Sequence, residues 1–204
     1  PLHRAAAQGE VSEVARLLDA DPAGVRRFDD DGNLPLHHAA WNGHAGVAAA
    51  LQDRGAVVDA LRRDAHPTTA LEMASYFGHE GVARLLLERG ADPNTRVFEG
   101  HTALHKAAQG GHVAVMRRLL AKGARLDAAT DDGRTALHVA VGNGRDGAAR
   151  WLLAVGADPS ARDRAGATPL GGASGACRRL LEEHLRQRAE SDALRAAREL
   201  HRVG

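Results

Sequence analysis

The chain has 204 residues, 44% hydrophobic but only 3% aromatic, with a formal net charge of +1. This composition excludes wholesale disorder, favours a core of small aliphatics in closely packed helices over a β-sandwich, and supplies no global field to draw the chain onto nucleic acid or an anionic membrane. Cys177 is the single cysteine, so no internal disulfide can form and a reducing, intracellular (cytoplasmic) setting is expected; no apolar run approaches the roughly 20 residues of a membrane span.

In chain order, one string recurs. PLHRAAAQGE begins at Pro1 and PLHHAAWNGH at Pro35. TALEMASYFGH follows from Thr69, TALHKAAQGGH from Thr102, TALHVAVGNGR from Thr135 and a decayed TPLGGAS from Thr168, the last three 33 residues apart. A second string recurs in phase: RGAVVDA from Arg54, RGADPNT from Arg89, KGARLDA from Lys122 and VGADPSA from Val155. Pro1 falls inside the first motif, so the natural N-terminus is expected to lie upstream; no signal-peptide pattern opens the chain.

Each unit predicts helix, tight turn, helix, then a loop or hairpin. In the fourth, Thr102 can cap a helix start, and Leu104, Ala107 and Ala108 share one face. Gly110 and Gly111 end that helix. Val113, Val115, Met116, Leu119 and Leu120 form the apolar stripe of a second, antiparallel helix, and Asp131-Asp132-Gly133 signals a turn. No unit can bury its apolar face alone, so the units must stack.

These two in-phase motifs resemble the ankyrin repeat, with its T-P-L-H-x-A-A and G-A-D-x-N signatures, over about residues 1–175. The resemblance implies an all-α solenoid of helix-turn-helix units joined by hairpin loops. Repeats are placed at about 1–34, 35–68, 69–101, 102–134 and 135–167, with a degenerate sixth from 168. Residues 176–204 hold strong helix formers with no Pro or internal Gly before the terminus. They are expected to form a C-terminal capping helix or two, with a break near Ser191 as one option and Leu181, Leu185, Ala189, Ala193, Ala197 and Leu200 on one face. The second half could extend into solvent, pack back, or self-associate, the last not favoured.

The resemblance also explains most histidines. His3, His37, His105 and His138 occupy the T-P-L-H position, where the side chain bridges adjacent repeats; His44, His79 and His112 open second helices. No metal is expected: His101 and His105 are four apart, but His101 falls in the hairpin before the helix. No catalytic set has supporting context, the Gly-rich stretch from Gly171 reads as a flexible turn, and Cys177 lies on an apolar helix face. The chain is expected to be non-catalytic and to need no cofactor.

Departures from the pattern locate the interest. The loop after Gly55 is two residues longer than its counterparts, with Arg62 where Asp is usual, and Glu72 replaces the motif His. Insertions in solenoids map to loops, often on the binding face. Ankyrin partners usually meet the concave side, which comprises hairpin tips and the exposed face of each first helix. Mapped here, the first helices supply His38, Trp41, Asn42, Met73, Tyr76, Phe77, Lys106 and Gln109. The hairpins supply Phe28, Asp30 and Asn33, then Arg96, Phe98 and His101, then Asp131, Asp132 and Arg134. All aromatics but Trp151 fall in this set, the grouping expected of interface hot spots. The implied function is protein–protein interaction. Alternatives are an inhibitor or immunity-type protein blocking a partner enzyme, or the interaction domain of a larger protein. Nucleic acid is not expected as a partner, because 26 acids are interspersed with the 27 basic residues.

Overall fold

The computed structural model describes residues 1–203, with side chains described except at 196, 197 and 199–203. Among the described residues the chain is helical, with no strand and one isolated bridge, between Ala129 and Thr135. Five helix pairs follow one another: α1 (Leu2–Gln8) with α2 (Val11–Ala20), α3 (Pro35–Asn42) with α4 (Ala45–Asp53), α5 (Ala70–Phe77) with α6 (Glu80–Glu88), α7 (Ala103–Gly110) with α8 (Val113–Ala121), and α9 (Ala136–Gly142) with α10 (Asp146–Ala154). First helices pack on first helices and second on second, which makes a two-layer solenoid.

The repeat spacing of leucine builds the core. Leu36, Leu71, Leu104 and Leu137 of the first helices and Leu51, Leu86, Leu119 and Leu152 of the second are all buried. Truncating any one to Ala would cost about 2–5 kcal/mol. Alanine pairs such as Ala39–Ala40 and Ala107–Ala108 are fully buried and let neighbouring first helices approach closely. The turn glycines are obligatory where the helices are tightest. Gly43 has φ 79°, and a Cβ there would lie 2.6 Å from Nδ1 of His79 in the next repeat. Ion pairs Arg54–Asp19, Arg89–Asp53 and Arg118–Glu80 link successive repeats on the second-helix side. All are solvent-exposed and contribute about 0–1 kcal/mol each.

The loops expected as hairpins are short closed tips rather than strands. Each is closed by a backbone bond: Asp29 N–H to Asn33 O, Arg62 to Thr68, Val97 to His101, Thr130 to Arg134 and Asp163 to Ala167. Adjacent tips are tied by Arg63 N–H to Gly32 O, Asp131 to Glu99 and Arg164 to Asp132, all at 2.9 Å. Among the described residues no such bond joins the tip at 62–68 to the tip at 97–101. The two extra residues of the 62–68 tip displace its backbone from that register.

After α10 a single 3-10 turn, Pro169–Gly172, replaces a first helix and packs on α9. One continuous helix, α11 (Gly175–Val203), then packs on α10 without a break at Ser191. Leu181 is fully buried and Leu185 half-buried, whereas Ala189 and Ala193 are exposed; the Ala197 and Leu200 side chains lie outside the described residues. Among the described residues of the predicted face, only those of the first turns are buried.

Candidate functional site

The start of each first helix sets the geometry of one face. Thr102 and Thr135 precede α7 and α9 in extended conformation. Three residues on, His105 and His138 accept the Thr backbone N–H through Nδ1 at 3.2 and 3.1 Å. Their Nε2 atoms donate to the carbonyls of Arg134 and Ala167 in the next tip, at 3.1 and 3.2 Å. His37 does the same between Leu34 N–H and Ala60 O, both at 3.0 Å, and His3 reaches Arg27 O at 2.8 Å. Burial pushes His37 and His105 down to about 4, so both are neutral near pH 7, as this pattern of one acceptor and one donor nitrogen requires. Both ring nitrogens of His105 are committed, so His101 and His105 cannot chelate a metal while the helix start is intact.

In α5 the same register holds Glu72. Its Oε2 accepts from the Thr68 hydroxyl at 3.0 Å and from Thr69 N–H at 3.3 Å, while Thr69 Oγ1 accepts from Glu72 N–H at 3.2 Å. Glu72 therefore caps its own helix, but unlike the histidines it makes no hydrogen bond to a carbonyl in the next tip among the described residues. The carbonyl of His101, in the place of those of Arg134 and Ala167, accepts only Val97 N–H among the described residues. Glu72 is 1% exposed, its Oε1 has no partner among the described residues, and burial pushes its carboxyl up to about 7.

Three adjoining clefts run along the first-helix and tip face. One of about 690 Å³ lies between the first two tips and includes Asp30, Asn33, His38, Trp41 and Asn42. The middle one, about 310 Å³, is walled by Trp41, Tyr76, Phe77 and Phe98, with Glu72, Met73, Lys106 and Gln109 completing it. The third, about 640 Å³, takes in Phe98, His101, Lys106, Gln109, Asp131, Asp132 and Arg134. The middle cleft shares Trp41 with the first and Phe98, Lys106 and Gln109 with the third, so the three form a continuous groove. It spans the place where the tip-to-tip bonds are interrupted. The aromatics form a cluster: Trp41 and Phe77 have ring centroids 4.6 Å apart, Phe77 and Tyr76 5.0 Å, and Phe98 meets His66 edge-on at 4.3 Å. Trp41 and Tyr76 remain 49% and 41% exposed.

All the residues mapped from the sequence line this groove except Phe28 and Arg96. Phe28 is half-buried beneath the Arg63 guanidinium, 4.1 Å from its ring centre. Arg96 braces the next tip through Asp131 at 2.8 Å and the Ala129 carbonyl at 2.5 Å. His38 is paired with Asp29 at 2.6 Å. Met73 does not project as its sequence position suggests. It is buried, and contributes packing surface to the middle cleft. Arg63, Asp64, His66 and Glu72 also line the groove and were not assigned to it from sequence. The long loop and the missing motif His were the available signals, but neither reveals where the side chains point.

Cys177 offers no nucleophile. It is fully buried, its Sγ donates to Asp146 Oδ1 at 2.8 Å, and burial together with that carboxylate pushes the thiol up to about 12. No helix among the described residues is long and apolar enough to cross a membrane. A family model described as ankyrin repeats (3 copies) matches residues 2–97 and again residues 71–163.

Proposed function

We propose, from the premise that this chain belongs to the ankyrin-repeat family, that it is a non-catalytic scaffold whose partner is another protein seated in the first-helix and tip groove. Ankyrin repeats are in general protein–protein interaction modules, and the family is typically non-catalytic. One observation carries the choice of surface: a contiguous aromatic cluster in which Trp41 and Tyr76 stay substantially exposed. Large aromatics with open faces, ringed by polar groups, are the side chains that dominate interface energetics. The flanking clefts add charge of both signs, from Asp30, Asp131, Asp132 and Arg134, which orients a partner and sets its on-rate more than its affinity.

The same reading assigns residues 1–175 to the repeat domain and 176–204 to its cap, places the protein inside the cell, and gives nucleic acid no part. The test starts with capture of partners from the native source on the immobilised chain. Affinity for a captured partner is then compared with that of Trp41→Ala and Phe98→Ala. Each substitution is expected to weaken binding by more than about 1 kcal/mol, roughly fivefold. Unchanged affinity in both would remove the partner from this groove.

A further inference from the structure

The middle cleft combines two features that call for one kind of ligand. Its walls are the rings of Trp41, Tyr76, Phe77 and Phe98, and at its base Glu72 carries a carboxylate oxygen, Oε1, that is sealed from solvent and unpartnered among the described residues. A buried acceptor without a donor is destabilising. The neighbouring cations do not supply one. Arg62 is paired with Asp64 through Nη2 at 2.8 Å, and its Nε, also buried, is unpartnered among the described residues and makes no bond to Glu72; Lys106, on α7, acts on Glu72 only through its charge, with no hydrogen bond to it. His66, the other basic side chain at the cleft, packs edge-on against Phe98.

Aromatic faces beside a buried carboxylate select a planar cation. A guanidinium stacks on rings through its face and donates through its edge in charge-assisted hydrogen bonds. An ammonium gains the attraction of the rings but lacks the fork geometry. Oε1 is out of solvent contact, so no donor reaches it while the cleft is closed. Entry to Oε1 requires side chains at the base to move, and Lys106 and Met73 are both unbranched and adaptable.

We propose that this cleft receives an arginine side chain of the partner protein, its guanidinium stacked against the aromatic wall and donating to Glu72 Oε1. The proposal rests on reading the groove as the partner surface. Within it Lys106 is a resident competitor, a cation that arginine must push toward solvent.

The probes are N-acetyl amides of arginine, lysine, norleucine and glutamate. They are titrated into the full chain near pH 8, with the shifts of the Trp41 indole N–H and the Met73 and Lys106 amides followed by NMR. The arginine derivative is expected to saturate in the millimolar range, ahead of lysine, with no response to norleucine. Glu72→Gln should weaken it at least about fivefold, the difference between a charge-assisted and a neutral hydrogen bond. Lys106→Met, which removes the competitor, should tighten it and provides the test if Glu72→Gln does not fold. An equal response to norleucine would make the cleft an apolar anchor site. A stronger response to glutamate, lost in Lys106→Met, would make it an anion site. Either result, or silence from all four probes, overturns the proposal. A partner still captured through Trp41 would leave the wider reading of the groove standing.

Discussion

Repeats two, four and five begin their first helices with a histidine that reaches two ways, whereas repeat three begins with a glutamate that reaches one way. His37, His105 and His138 each cap their own helix and tie it to the following loop, His105 and His138 at the tip itself and His37 at Ala60, just before its tip. Glu72 caps α5 and, among the described residues, makes no bond to the following tip. The row of bonds between tips is interrupted immediately beside it, and the aromatic cleft lies in that interruption. Regular positions hold the solenoid together; the position that gives up a scaffold bond is the one beside the candidate site.

The largest effects that could break this comparison are on stability. His105 is completely buried with both nitrogens bonded. Its replacement by Ala would leave a cavity and strand the Thr102 N–H, so a loss of about 3 kcal/mol is expected in urea unfolding. Glu72→Ala should cost less than about 1 kcal/mol, because it also removes a buried carboxyl that pays a desolvation penalty. Equal losses in the two variants would mean that Glu72 is as much a scaffold residue as the histidines.

Titration separates the two registers by sign. His37 and His105 have folded values near 4, below their unfolded 6.5. Their contribution is complete above pH 6.5 and is lost as pH falls toward 4, by roughly 3 kcal/mol each. Glu72 has a folded value near 7, above its unfolded 4.5. Its contribution is complete below pH 4.5 and is lost as pH rises through 7, by roughly 3 kcal/mol at most. Glu72→Gln, which stays neutral, is therefore expected to be more stable than the parent chain at pH 8. The two should converge as pH approaches 4.5. A pH-independent difference in unfolding midpoint would show that Glu72 does not titrate in this range.

The helices were largely legible in the sequence because their signals are local. Leucines at a 33-residue spacing, glycines at helix ends and threonine before the motif each report on their own turn, and Thr102 and Leu104 sit where their motif places them. The groove was legible only in outline. Trp41 and Phe77 occupy adjacent motif positions in successive repeats, yet Trp41 projects while Phe77 is half-buried, with Trp41, Tyr76 and His79 around it. Part of that outcome is decided by Trp41, 36 residues away, which periodicity within one repeat does not reveal. The insertion announced a different loop at 62–68 but not the loss of its bond to the next tip. Ser191, a reasonable cap candidate, does not start a new helix, because no Gly or Pro on either side breaks the first one.

The smallest expected effect concerns the tip just beyond the interruption. Glu99 has φ 57° and ψ 23°, the only non-glycine residue described with positive φ, and it precedes Gly100, also left-handed at 71°. In the next tip Asp132 holds the matching place with ordinary φ, and only Gly133 is left-handed. Glu99 is solvent-exposed and holds its place through its carbonyl, which accepts Asp131 N–H at 2.9 Å, so its side chain is dispensable to the tip. Glu99→Gly is therefore expected to raise stability by about 0.5–1 kcal/mol, by relieving left-handed strain. Asp132→Gly should lower it by a similar amount, since it adds chain entropy to the unfolded state and removes the hydrogen bond from the Thr130 hydroxyl. Thermal unfolding of the two variants side by side checks the contrast. If both destabilise equally, the Phe98 tip is no more strained than its neighbour, and its distinctness lies in the Phe98 and His66 rings alone.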